Sequence, residues 1–318
     1  MSYSLSGFGN VFDNSFQNEI QDNMVEWLDW GLLNKGNYFN VTLGELSQDS
    51  RDMSLLQLSA NNNFAAGQAW DGFRSNWIWQ SGITVESGAE APIVSDNNVI
   101  PGISGVYVDD TFYASDTTGT YAHHVDYFNG RVVFDTPIPT GSKVQAEFSY
   151  KYINIIYANN LPWIQEVSAR SLFPTGDDPI LPPEMEVQLP SVAVEVTSNR
   201  KFKPFALGSQ GNQYVYTDVL FHCIADNVYT RNAMVDMVSL QNDKNFAIFD
   251  TNSVINSGEL PINYNGSPAS GALRYPDLIS KHRYTDIRIR DTKSQQAISI
   301  NSNVHIGVVT STIEIIGF

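Results

Sequence analysis

The stretch YVYTDVLFHCIADNVYTRNAMVDMV, residues 214–238, constrains the fold of this chain more than any other. Its first twelve residues are apolar on both alternating faces, as a strand in the middle of a covered sheet must be. A short polar turn follows. Ala233, Met234, Met237, Val238 and Gln241 then recur at helical spacing, with Thr230 placed to cap the helix. Such a strand needs partners, and the neighbouring sequence supplies them. In PSVAVEV, Val192, Val194 and Val196 alternate against Ala193 and Glu195. NFAIFD, residues 245–250, reads as a short edge strand. TDIRIRD turns Ile287 and Ile289 inward and Arg288 and Arg290 outward, and VHIGVVTSTIEII reads as a long closing strand. Residues 251–273, rich in Asn, Gly, Ser and Pro, read as a long loop. The expected order is strand, strand, helix, short strand, loop, strand, strand.

The same stretch places His222 beside Cys223, the one cysteine of the chain. Successive strand residues point to opposite faces, so the two side chains cannot act at one site. A cysteine nucleophile needs its base within hydrogen-bond reach. Cys223 is therefore expected in the core, and His222 as a satisfied internal histidine or a contact residue. YAHHVDYF offers His123, His124 and Asp126, of which His124 and Asp126 share a strand face, but no third ligand has recognisable spacing. Asp109-Asp110 and Asp177-Asp178 read as turns, without calcium-loop spacing around them. No phosphate-cradling glycine loop, nucleophile elbow or zinc-protease helix appears, so the expectation is no enzymatic activity and no cofactor or metal.

Ahead of this region the character changes twice. Residues 1–80 are aromatic and irregular, with one helix in NEIQDNMVEWLDWGLL. There Ile20, Met24, Trp27, Leu28 and Gly31 share a face, Asn14 or Ser15 caps the start and Gly36 marks the end. Trp70, Trp77 and Trp79 follow closely; they suit core or interface filler, or stacking on a sugar or a base. Residues 81–155 read as a small β-sandwich. Asp109-Asp110 joins two short strands, Asn129-Gly130 marks a hairpin, and KVQAEFSYK alternates. In that last strand Val144, Ala146, Phe148 and Tyr150 face the core, and the opposite face is expected to be free. The proline-rich residues 156–189 read as a linker or docking segment between the sandwich and a domain at 190–318. The fold class is α+β, mostly β.

Composition narrows the partners. Thirty-four acidic residues against eighteen basic ones give a net charge of −16, which repels phosphate and argues against sequence-specific nucleic-acid binding. Only 16% of residues are charged, against about 25% in an average protein, while aromatics are frequent. A surface of that kind suits coverage by partners. No run approaches the roughly 18 apolar residues of a membrane span, and the first residues carry no basic region followed by an apolar run, so neither a membrane nor a secretory signal is expected. Arg200, Lys201 and Lys203 form a basic cluster that suits a solvated strand end or half of an inter-subunit ion pair.

LPSVAVEVTSNRKFKPF, the strand–turn–helix of residues 214–238 and NVHIGVVTSTIEII together resemble the tail-terminator family of tailed bacteriophages. The hairpins between GVYVDDTFYAS and KVQAEFSYKY are similar to immunoglobulin-like modules of phage virion proteins. The resemblance implies a virion structural protein, assembled in the host cytoplasm as a ring of roughly six copies at the neck or tail terminus. It would join the tail tube or sheath to the head–tail connector and let DNA pass through an acidic lumen without binding it. Neighbouring neck, tail-tube or sheath proteins are then the partners. Sheet edges poor in charge would supply the side-to-side contacts, with Arg200, Lys201, Lys203, Arg288, Arg290, Trp70, Trp77 and Trp79 as candidate contact residues. The loop 251–273 would be ordered by a neighbour. The competing reading is a glycan-binding tail or baseplate adhesin, carried by the three tryptophans on the sandwich.

Overall fold

The computed structural model describes residues 16–85, 90–95, 101–158, 188–204, 213–259, 261–269, 271–295, 298–301 and 304–316. Asn14, Ser15, Asp177, Asp178 and most of the proline-rich segment lie outside the described residues. The fold is α+β and mostly β. It packs as two compact units. Of the described residues, the first unit takes those up to Asp29, Ile155–Gly258 and those from Tyr275 on; the second takes Trp30–Asn154 and Glu259–Arg274.

The first unit is built on the central strand that the sequence announces. Its strands are β10 (Asn154–Tyr157), β11 (Ser191–Pro204), β12 (Gln213–Ala225), β13 (Asn245–Phe249), β14 (Arg283–Ser294), β15 (Ile298–Asn301) and β16 (Val304–Ile316). The sheet order is β10-β11-β12-β16-β14-β13, with β15 beside β16, so β12 has a strand on each side. Phe221 stands opposite Val194 of β11 and Val309 of β16, and all three are buried. Helix α2 (Val228–Ser239) covers that face with Met234 and Val238. Gly307 lets it come close, since a Cβ there would meet Val235 and Arg231. The cap of α2 is Asn227, whose side chain accepts from the Thr230 amide at 2.8 Å. Thr230 itself lies inside the first turn, a correction of three residues. An Asn with extended backbone is the stronger cap.

Residues 251–273 are not one loop. Asp250 accepts from the Asn252 and Ser253 amides at 2.9 and 3.2 Å and starts helix α3 (Thr251–Ser257), which Gly258 ends at φ 70°. A further helix, α4 (Tyr275–His282), leads into β14. The segment between these helices belongs to the second unit. There the Tyr127 amide donates to the Gly266 carbonyl at 3.0 Å, the Ser267 hydroxyl donates to the Val125 carbonyl at 2.9 Å, and Ile262 packs on the core. The chain's own sandwich therefore holds the stretch expected to await a neighbour.

Helix α1 (Phe16–Leu33) begins in the first unit, where it meets β11 and β13. Gln17 and Gln21 donate to the Val196 and Val194 carbonyls of β11 at 2.7 and 2.6 Å. Asn23 donates to the Phe249 carbonyl and accepts from its amide on β13, both at 2.8 Å. Trp27 stacks on Phe246 of the same strand at 4.3 Å. Tyr275 adds a hydroxyl on the Ala247 carbonyl at 2.7 Å. On the edge strand β13, the Phe249 backbone and the Ala247 carbonyl are thus taken by amide and hydroxyl side chains.

The second unit holds β1 (Tyr38–Val41), β2 (Gln57–Leu58), β3 (Ala69–Asp71), β4 (Gly105–Val108), β5 (Thr111–Ala114), β6 (His123–Asp126), β7 (Arg131–Phe134), β8 (Val144–Ala146) and β9 (Phe148–Lys151). They form sheets β2-β3-β7-β6, β5-β4-β8 and β1-β9 around one core of Trp70, Trp77, Val106, Val132, Phe134, Val144 and Phe148. The boundary expected at residue 80 does not appear, because β1 pairs with β9 and β3 with β7. The sequence shows these early strands poorly, since each is four residues or shorter. Asp109 and Asp110 form a two-residue hairpin turn with φ 48° and 66°, the left-handed pair that a type I′ turn requires. Gly130 closes the β6–β7 hairpin at φ 64°, where a Cβ would collide with the Arg74 carbonyl. The far face of β8 and β9 is not free. Gln145 donates to Asp52 at 2.9 Å and Ser54 at 3.0 Å, and Ser149 to Asn40 at 2.7 Å, and both are buried.

Candidate functional site

Cys223 and His222 part as strand alternation demands. Cys223 is fully buried on the face covered by α2, and burial pushes its thiol up to about 12. His222, on the other face, places Nε2 2.8 Å from a Glu195 carboxylate oxygen. It stands opposite Ala193, so its ring reaches diagonally across to Glu195 two residues on. A thiol held protonated and turned away from the imidazole makes no dyad. Cys223 is expected to resist a thiol-specific reagent in the folded protein and to react fully once denaturant is added. Fast labelling of the native protein would contradict the burial.

The histidines of β6 are likewise structural. Burial lowers the pKa of both His123 and His124 below the ordinary value, and the His123 Nδ1 lies 2.9 Å from the Tyr121 carbonyl. Asp126 accepts from the Asn129 amide at 3.1 Å and its side chain at 2.6 Å, fixing the hairpin tip. Among the described residues, no three His, Cys, Asp or Glu side chains come together in a way that could hold a metal ion.

The tryptophans are core, which removes them as inter-subunit contacts and as a sugar platform. Trp70, Trp77 and Trp79 are 3%, 1% and 7% exposed. Trp77 stacks on Phe148 at 3.9 Å, and its indole donates to the Arg74 carbonyl at 2.8 Å. Trp70 donates to the Gly67 carbonyl at 3.2 Å. Rings this well covered have no face left for a ligand.

Arg288 and Arg290 lie on the outer face of β14, as expected, but each has a partner within the chain. Arg288 meets Asp243 at 2.9 Å, and Arg290 meets Glu314 at 2.9 Å. Glu314 also accepts from the Tyr216 hydroxyl at 2.8 Å. With Thr312 donating to Asp218 at 2.7 Å and the His222–Glu195 pair, they make a ladder of cross-strand polar contacts over the sheet.

The basic cluster is the candidate that remains outward. Two extra residues of β11 between Val196 and Arg200 break the register with β12, and the strand beyond the bulge carries Lys201 and Lys203 exposed. Arg200 reaches Gln17 at 3.5 Å, and Lys203 lies over the Tyr216 ring at 5.0 Å. Phe202 between them is 60% exposed. The sequence reading singled out the charges and missed this phenylalanine, although its place in an alternating Lys-Phe-Lys run was the available signal. It also missed a row of aromatic contacts on the second unit. Phe39 meets Tyr152 edge-on at 5.5 Å, and Phe73 meets Tyr150 edge-on at 5.3 Å.

Two exposed cations flanking an exposed aromatic ring can bind a surface. The chain matches no protein-family profile and no curated protein sequence.

Proposed function

We propose that the chain is a structural protein of a tailed-phage virion, assembling as a ring at the neck or tail terminus. In that ring it joins the tail tube or sheath to the head–tail connector around a DNA passage. The observation that carries the reading is the arrangement of the first unit. β11 and β12 form a long antiparallel hairpin, β12 is central, α2 packs on it and β16 closes the sheet beside it, the set of elements on which the resemblance rests. The acidic net charge supports a channel that phosphate does not grip.

The capped edge shapes how such a ring would be joined. Phe249 of the edge strand β13 already spends its backbone groups on α1, so continuous strand pairing between copies through that position is disfavoured. The contact falls instead to the outer end of the β11–β12 hairpin. Lys201, Phe202 and Lys203 offer an apolar anchor between two cations to a neighbour with surplus carboxylates.

Negative-stain microscopy and light scattering of the purified chain, with mapping in intact particles, test this. Annular oligomers with a central hole are expected, weakened by raised salt and by Phe202→Asp. A protein that stays monomeric at high concentration and forms no annulus in the particle would end the proposal.

A further inference from the structure

The first half of α1 carries more ionisable groups than a structural strap needs. Asn23 is buried and fastened to Phe249, while Gln17 and Gln21 are fastened to β11. On the same helix, one Glu19 carboxyl oxygen is buried with no hydrogen-bond partner among the described residues. The charged groups acting on Glu19 are Asp250, at the β13–α3 junction, and Asp22 on α1; the Tyr284 phenol of β14 also lies within its field. Asp250 is committed, because its two oxygens cap α3 through the Asn252 and Ser253 amides and the Ser253 hydroxyl. Asp22 faces the Tyr157 phenol of β10 and Thr251 of α3, with Glu26 and Asp29 around the same phenol.

Ionised Glu19 would therefore sit half-buried in the field of a fixed carboxylate, with one oxygen that no donor answers among the described residues. Protonated, it adds no charge to that seam.

We propose that the first half of α1 is a proton-governed clasp. With Glu19 protonated it holds β11 and β13 together through Gln17, Gln21 and Asn23. With Glu19 ionised it loosens and uncovers the backbone of Phe249.

The direction follows from the titration. Burial, then Asp250, then Asp22 push the Glu19 carboxyl from 4.5 up to about 7, and burial lifts Asp22 from 3.8 to about 6. A carboxyl whose pKa is raised in the folded state binds more protons there than in the open state. Its stabilising contribution is full below the open-state value and is lost as pH rises through the folded one. For Glu19 that window runs from 4.5 to about 7, and for Asp22 from 3.8 to about 6.

Amide hydrogen exchange on the full chain reads the clasp directly, with rates corrected for intrinsic pH dependence. Peptides from residues 17–29 and 245–249 are expected to lose protection roughly tenfold between about pH 5 and about pH 8, while β12 peptides stay unchanged. Glu19→Gln, isosteric with the protonated acid, should keep the acid-side protection at the higher pH and remove most of the slope. Glu19→Gln with Asp22→Asn should remove all of it. Asn23→Ala should lower protection at both pH values and leave the slope, separating fastening from sensing. Wild-type protection that ignores pH, an undiminished slope in Glu19→Gln, or equal loss in β12 would each overturn the proposal.

Discussion

Replacing Phe221 with Asp is expected to unfold the first unit. The side chain is 2% exposed on the central strand, between Val194 and Val309 and beneath α2. A carboxylate placed there has no partner and no water. Burying it costs several kcal/mol, and protonating it to escape that cost still strands a polar group, against a total stability of about 5–15 kcal/mol. Far-ultraviolet circular dichroism on melting should show loss of the cooperative transition, and limited proteolysis should cut within 190–258. Phe221→Leu, which keeps an apolar group of smaller volume, should cost only about 1–2 kcal/mol. A melting temperature equal to wild type in Phe221→Asp would mean that β12 is not central.

Trp77→Ala should have the second-largest effect, in the other unit. The indole is 1% exposed, stacks on Phe148 and bonds the Arg74 carbonyl. Truncation leaves a cavity and removes the indole's bond to that carbonyl, and such changes cost about 3–5 kcal/mol. Denaturant titration of the purified variant should show the midpoint falling with little change of slope. Trp77→Phe should recover part of the loss. This prediction also separates the sandwich from an adhesin: any loss of glycan binding in Trp77→Ala would track unfolding, because the ring is inside the core. An unchanged midpoint would place Trp77 at the surface after all.

The first unit was legible because its elements are long and their patterns are physical necessities. A strand apolar on both faces must be central, and β12 is. Ile287 and Ile289 alternate against Arg288 and Arg290 on β14, with the isoleucines buried. Cys223 followed from the same parity. What escaped was local chemistry disguised by composition. FDTNSVINSG looks like loop because Asn and Ser are rich in it, yet Asp250 and Gly258 supply the start and stop of α3. Residues 38–71 escaped because two- to four-residue strands carry too few alternations to register. The tryptophans could not be assigned from composition, since an aromatic cluster reads the same in a core and on a surface. The candidate contact residues divided for a related reason. Arg288 and Arg290 found their carboxylates across the sheet, on residues far away in sequence, while Lys201 and Lys203 lie past a bulge that sequence does not mark.

The path of residues Glu259–Arg274 bears on how the molecule is made. By Lys151 the ribosome has delivered every strand of the sandwich, yet the tip of its β6–β7 hairpin still lacks Gly266 and Ser267. Those two leave the exit tunnel only after β12 and α2 have emerged. The unit whose strands emerge first is therefore finished late, and a chain cut short before residue 266 would display the Val125 carbonyl and Tyr127 amide bare, as a mark of incomplete synthesis.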